Sequence, residues 1–539
     1  MANLSTPGSV SDHLLELVGC IERHEGFDQV VAALSSGREA ALEGVWGSSC
    51  ALVAAALARH SPGPVVVVCP RIEQVDRFID DLGLFLRTTP ERFPARESLG
   101  KERVLLDEVF GDRVRVLKLL ESQRGESDAG DSAVTLPRDK LVPVPQTGEL
   151  PAPPTAIRLP DRQAQHTTYA PAPLRQAGKA SEGEALVLVT CIQALLQPVP
   201  DPQTLQERTR CVRVGDEVDV AALSRWLLEH GFHRTSAVEL PGEFSLRGGI
   251  IDIFAPDWFD PVRVELFGDR VESIRRFEVS SQRSLAPAGS VNITVLDPDA
   301  DYQGQLADYL PAGSWFLLSE PAEVQQEGYR YLERLQRPQD VHPLRAVMER
   351  VLGFATATAS AIAQGAGETS CRLRIESVER FSGDIGKVRH ELDSIGSGHQ
   401  VFMVCQTEAE VRRLAELFGT TQLAARGNLH FAVGQLAQGF RLVPEQILVL
   451  GSDALFHRME LRRPVRRRLG KTIDTFLDLR EGELVVHVVH GIARYRGMTL
   501  LEKEQQVEEH LVLEFHGGTK LYVPSSKIGL VQKYVGGAK

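Results

Sequence analysis

Residues 240–284 read LPGEFSLRGGIIDIFAPDWFDPVRVELFGDRVESIRRFEVSSQRS, and their patterning decides how the middle of the chain folds. Pro241-Gly242 marks a turn, Ile250 to Phe254 form an apolar run, and Val262-Arg263-Val264-Glu265-Leu266 alternates with a period of two. That period puts the apolar residues on one face of a strand and the charges on the other. Gly268-Asp269 then separates this run from 271–279. The dipeptide suits a two-residue hairpin, because glycine tolerates a positive φ and aspartate tolerates the left-handed region. A small antiparallel sheet is predicted.

Upstream, 220–231 reads as a helix with Leu223, Trp226 and Leu227 on one face and Gly231 as its cap. A buried-type strand at 185–190, a short helix through Leu195 and a Pro- and Gln-rich linker at 198–206 precede it. Residues 125–183 change character: nine prolines fall between Pro137 and Pro173, too many for a helix and with too little apolar content for a core. This segment is expected to be a disordered or loosely extended insertion, a spacer or a proline-rich recognition segment.

Nearer the N-terminus, Leu14, Leu15, Val18 and Ile21 give 11–35 the spacing of one amphipathic helix. A turn with Gly44, Gly47 and Ser48 follows, then the helical ALVAAALARH and the apolar strand 65–69, an α/β unit of the kind that begins a nucleotide-binding sheet. A working phosphate loop needs G-x-x-x-x-G-K-[ST], the lysine reaching the β- and γ-phosphates and the hydroxyl holding magnesium. With Gly44 as the first glycine, Ser49, Cys50 and Ala51 fill the last three places. Gly44, Gly47 and Ser48 are therefore expected to be vestigial. No apolar strand ends in Asp-Glu, and Asp107-Glu108 sits in the helical pattern of 102–121.

Downstream, strands are expected at 291–296, 315–318, 401–405 and 446–450, with helices at 323–335 and 408–418. The Ala- and Thr-rich 353–367 gives no reading. The basic run 458–471 (RMELRRPVRRRLGK) reads as a solvated linker helix interrupted by Pro464, with phosphate binding as the other possibility. In 481–537, short strands around glycine turns point to a small barrel. His487 and His490 are read as ordinary positions of that fold rather than metal ligands.

The 539 residues exceed what one core supports, and a net charge of −12 argues against coating nucleic acid by bulk charge. The seven cysteines are scattered without ligand spacing and read as buried thiols. No basic leader with an apolar core and no run of membrane-spanning length is found, so a cytoplasmic protein is expected.

Several of these segments resemble a known family. The segment P-G-E-F-x-x-R-G-G-I-I-D-I-F at 241–254, with Arg263-x-Glu265-x-Phe267-Gly268-Asp269, Ile274-x-x-Phe277 and Ser281-Gln282-Arg283, is similar to the second domain of the excision-repair protein UvrB and of transcription-repair coupling factors (Mfd). The pattern V-V-H-x-x-H-G-I-A-R-Y, G-M-x-x-L-E and K-L-Y-V-P in 485–524 resembles the RNA-polymerase-interacting domain shared by that family and CarD-type regulators. The resemblance implies a multidomain α/β protein. Its parts would be a UvrB-like first domain with a degenerate P-loop-type fold (1–124, 184–206 as return strand and linker, 289–345), an inserted α+β UvrA-binding domain (207–288) and a third α/β domain (346–456). A basic linker helix (457–480) and a C-terminal barrel (481–539) would follow.

UvrA and the RNA polymerase β subunit are the implied partners, with DNA met mainly through them. Because arginine and aromatic residues dominate interface energetics, Arg247 and Phe254, with Arg234 beside them, are the candidates for UvrA. Leu501, with Arg494 and Tyr495 nearby, is the candidate for polymerase. The segment 93–102 lacks the tyrosines of UvrB's DNA-gripping hairpin. The family's motor, with its ATP and magnesium, is expected to be missing here, leaving an adaptor. The alternatives are a translocase whose motor is encoded separately or was lost by frameshift, and a CarD-like regulator.

Overall fold

A seven-stranded parallel sheet gathers segments that lie far apart in the chain. The computed structural model describes residues 14–96, 103–131, 184–279, 281–362, 369–378, 385–456, 482–487, 491–503, 506–515, 520–524 and 531–533. Across the sheet the strands run Ser370–Arg372, Ala40–Glu43, Ala355–Ser360, Trp315–Ser319, Val65–Cys69, Val187–Cys191 and Glu91–Arg92. Each neighbouring pair is parallel. Val65–Cys69 and Val187–Cys191 are buried throughout, as parallel strands covered on both faces must be. Helix Ser49–Ala58 is buried at every residue and packs on Val65–Cys69.

Several expectations need correcting here. Residues 353–367 hold an interior strand, Ala355–Ser360, whose small side chains fit between two neighbours. Thr356 is buried, and its hydroxyl donates to the Val351 and Phe354 carbonyls at 3.2 and 3.0 Å. The boundary expected at 345/346 therefore falls inside helix Leu344–Leu352, and the first sheet continues to Arg372. The single helix expected at 11–35 breaks into Val18–Glu22 and Phe27–Ser35, where Gly26 takes φ 91°. Helix Arg103–Asp131 runs past the expected end at 121 into the start of the supposed insertion; residues 132–183 lie outside the described residues.

The stretch 240–284 folds as its alternation requires. Six strands lie in the order Ser284–Ala288, Arg270–Phe277, Val262–Phe267, Ile250–Phe254, Glu243–Arg247 and His233–Arg234. All pairs are antiparallel except the last. Arg270 pairs with Phe267 across Gly268-Asp269, the expected two-residue hairpin. Leu223, Trp226 and Leu227 of helix Val220–Glu229 join Phe244, Ile253, Val264 and Ile274 in one core. Val291, Ile293 and Val295 belong to the same core, and Ser290–Thr294 pairs with Thr209–Arg213, so this module extends beyond the expected limit at 288.

Helix Arg103–Asp131 seats the inserted module. A Cβ on Gly111 would stand 2.0 Å from the Pro256 carbonyl oxygen, so only glycine permits this approach. About two turns further on, Lys118 Nζ donates to Asp257 Oδ2 at 2.6 Å and to the Asn292 carbonyl at 3.0 Å. Arg115 lies over the Phe259 ring at 4.8 Å.

A third sheet runs Ile375–Ser377, Phe440–Leu442, Ile447–Gly451, Gln400–Cys405 and Leu429–Val433. Its last three strands are parallel and its first three antiparallel. Helix Glu408–Phe418 has the expected bounds and is capped by the Thr407 hydroxyl. Phe402, Val404, Ala432, Phe440 and Val449 share a core with the seven-stranded sheet.

The C-terminal unit, from His457, is a five-stranded antiparallel sheet in the order Lys520–Pro524, Gln506–Glu514, Gly491–Lys503, Leu484–His487 and Val531–Lys533. The expected barrel is not found: among the described residues no pairing joins the two edge strands. The basic run 458–471 and His490 lie outside the described residues, as does the side chain of His487. Six cysteines are buried as expected, but Cys211, on a strand of the two-stranded ribbon, is exposed. Among the described residues no helix is long and apolar enough to cross a membrane.

Candidate functional site

On the charged face of the six-stranded sheet, one buried carboxylate organises two arginines. Asp252 is 1% exposed and pairs across strands with Arg263. Its Oδ1 accepts from Arg263 Nε at 2.7 Å, while its Oδ2 accepts from Arg263 Nη2 at 2.9 Å and Arg247 Nη2 at 3.0 Å. The Asp252 hydrogen bond raises the Arg263 pKa, and the guanidinium also lies 4.7 Å over the Phe277 ring. Arg263 is thereby fixed on both sides. Among the described residues Arg247 has only this anchor, and its side chain is 53% exposed.

A second charged pair continues this face. Glu265 accepts from Ser273 Oγ at 2.7 Å and pairs with Arg275; both hold its pKa low, Ser273 foremost. Arg234 is exposed beside Phe244, so it borders the strand that ends in Arg247. Phe254 is different. It is 6% exposed, and its ring is too covered to act as a surface anchor. Among the described residues the most open large apolar side chain is Phe267, at the hairpin tip, 83% exposed beside a hollow of about 300 Å³ lined by Val214, Arg270 and Val271. Sequence reading missed Phe267 because alternation marks faces but not how far a tip projects.

The turn after strand Ala40–Glu43 has the position of a phosphate loop but spends its polar groups on its own chain. Gly44 and Gly47 take φ 75° and 51°. Val45 N–H donates to the Ser360 carbonyl at 3.0 Å, Trp46 N–H to Ser49 Oγ at 3.0 Å, and Cys50 N–H to the Gly47 carbonyl at 3.1 Å. Ser48, 3% exposed, accepts from Gln438 N–H at 2.9 Å and also hydrogen-bonds to Asp81. Asp81 Oδ1 accepts from Ala437 N–H at 2.8 Å. Burial pushes the Asp81 pKa up to about 7 against these two hydrogen bonds.

Strand Trp315–Ser319, separated from Ala40–Glu43 by Ala355–Ser360, leads into Glu320, whose carboxylate accepts from the Ala361 N–H at 2.8 Å. Burial raises the Glu320 pKa as well as that of Cys50, the latter to about 12. With Cys50 and Ala51 where lysine and hydroxyl belong, and with these donors and carboxylates engaged, the residues do not fit a nucleotide and magnesium. Asp81 and Glu320 were both invisible to motif reading, since neither occupies a motif position.

In the C-terminal sheet, Tyr495 is 4% exposed and packs with Val485, Ala493, Leu511 and Leu513. It is a core residue, contrary to its expected place on a docking surface. Arg494 is exposed and donates through Nη1 to the Gly482 carbonyl at 2.7 Å. Arg496 Nε donates to Glu514 Oε2 at 2.9 Å, and that hydrogen bond lowers the Glu514 pKa. Leu501 pairs with Glu508 in the long hairpin Gly491–Lys503 and Gln506–Glu514; its side chain is outside the described residues.

The two sheets match two family models. Residues 211–297 match the UvrB interaction domain, and 479–535 match the CarD-like/TRCF RID domain. Transcription-repair-coupling factors align along most of the chain: that of Bacillus subtilis (strain 168) is 23% identical over 96% of this chain and 47% of its own length. The Myxococcus xanthus protein of that name is 25% identical over 100% and 49%, respectively. This chain is thus similar to transcription-repair-coupling factors along nearly its whole length. It spans about half the length of these curated relatives. In coupling-factor terms, Arg234, Arg247 and Phe254 fall within the UvrB interaction domain and Arg494, Tyr495 and Leu501 within the RID domain, whereas Gly44, Gly47 and Ser48 lie outside both.

Proposed function

We propose that this chain gathers partners in transcription-coupled repair, linking RNA polymerase to the excision-repair protein UvrA. The observation that carries the reading is the presence of both matched domains in one chain. On the repair side, Arg247 is the capture group: Asp252 aims it, and half of its side chain stays open to an acidic or carbonyl-rich surface. Arg234 assists from the adjoining strand, and Phe254 supports the sheet from within. On the transcription side, Leu501 and Arg494 meet the polymerase β subunit, with Tyr495 in the core of that sheet. DNA is reached through these partners.

Pull-down of purified UvrA and polymerase β by wild type, Arg247→Glu and Leu501→Arg tests the reading. Each substitution is expected to remove its own partner and leave the other. Loss of both partners from one substitution, or retention of both, overturns the adaptor assignment.

A further inference from the structure

Residues 434–439 connect Leu429–Val433 to Phe440–Leu442 and lie across the mouth of the 44–48 turn. A Cβ on Gly47 would fall 2.5 Å from Gln438 Oε1 and 2.8 Å from Gln438 Cβ. Behind this contact, the Gln438 and Ala437 N–H groups are held by Ser48 and Asp81, which hydrogen-bond to each other. A Cβ on Gly434 would lie 2.4 Å from Leu84 Cδ2, just beyond the end of helix Ile72–Leu82. Phe85 and Phe440 then meet at 6.3 Å between centroids. These contacts bridge up to 390 residues of sequence and join the seven-stranded sheet to the third sheet.

We propose that 436–438 is a built-in clasp, tied by Ser48 and Asp81, which holds the third sheet against the first at the place where an intact phosphate loop would hold a nucleotide. A nucleotide bound in a crevice between two layers would have to make contacts to both. Here the contacts come from the chain itself. Gly47 admits the Gln438 side chain, Ser48 accepts one amide, and Asp81 accepts the next. The seam between the two layers is therefore closed without ATP, and the UvrB-interaction sheet is carried on a body that does not open and shut with nucleotide.

Hydrogen–deuterium exchange of the full chain tests this proposal, with wild type compared with Ser48→Ala, Gly47→Val, Asp81→Leu and the conservative Asp81→Asn. In Ser48→Ala, Gly47→Val and Asp81→Leu, exchange of the Ala437 and Gln438 amides should rise about tenfold or more. Asp81→Asn, which keeps an acceptor for Ala437 N–H and a donor for Ser48, should retain protection. Protection of Ile447–Gly451 in Ser48→Ala would report that the third sheet is still folded. Adding magnesium–ATP to wild type should leave 434–439 unchanged. Unaltered exchange in Ser48→Ala and Gly47→Val, or protection gained with ATP, overturns the clasp.

Discussion

The 44–48 turn and the sheet around Asp252 both place a buried carboxylate beneath a surface feature, and they use it in opposite ways. Asp81 faces a serine and a backbone amide and is pushed toward neutrality by burial. Asp252 faces two guanidiniums and projects one of them outward. The first arrangement consumes its polar groups internally, as a structural seam does. The second leaves charge over for a partner. The turn shaped like a phosphate loop and the proposed capture surface thus differ in where their hydrogen bonds end, more than in burial.

The pH response should separate them most. The folded-state pKa of Asp81 is raised from 3.8 to about 7, so folded protein binds this proton more tightly than unfolded chain does. Its contribution to stability is fully present below pH 3.8 and is lost as pH rises through about 7. Facing groups are Asp80 and Arg77 on its own helix, Ser48 and Cys50 on the turn and adjoining helix, and the uncharged segment 434–439. Relative to Asp81→Asn, wild type should lose on the order of 3–4 kcal/mol between pH 4 and 7, read from urea midpoints. A parallel pH profile for the two proteins would place Asp81 in a solvated setting and break the contrast.

Asp252→Ala comes next. It leaves Arg263 and Arg247 without their shared counter-charge in a setting where Asp252 is 1% exposed, at a cost of about 3 kcal/mol by chemical unfolding. Gly111→Val should cost about 2 kcal/mol, because the added Cβ meets backbone at Pro256 rather than a movable side chain. In Gly111→Val the UvrB-interaction module itself should stay folded but become exchange-labile at 257–259. Unchanged exchange there would show that helix Arg103–Asp131 is not its seat.

The sequence was most informative where one face is buried and one is wet. Val262, Val264 and the Gly-Asp hairpin announced the inserted sheet because alternation and turn chemistry are local. Ala355–Ser360 was illegible because an interior parallel strand between close neighbours is selected for small size, which resembles a loop in composition. Gln438 over Gly47 could not be read at all, since neither residue carries a local signal of the other. Phe254 and Tyr495 show a further limit: an aromatic residue in a strand reads equally well as an interface anchor and as core, and burial at 6% and 4% decides for the latter. At the barrel that was expected from 481–537, short strands and glycine turns specified an antiparallel sheet but not its closure.

Arg247→Ala should have the smallest effect on folding, and that smallness is informative. Arg263 alone still reaches both Asp252 oxygens, at 2.7 and 2.9 Å, so the buried carboxylate keeps its partner when Arg247 is removed. The Arg247 side chain is 53% exposed, and solvent discounts its ion pair to at most about 1 kcal/mol. UvrA affinity measured on the same preparation should nevertheless fall by roughly 30-fold or more, the loss typical of an interfacial arginine anchor. If unfolding midpoints instead move as far as in Asp252→Ala while UvrA binding holds, Arg247 is a structural partner of Asp252, and the sheet presents no group held in reserve for capture.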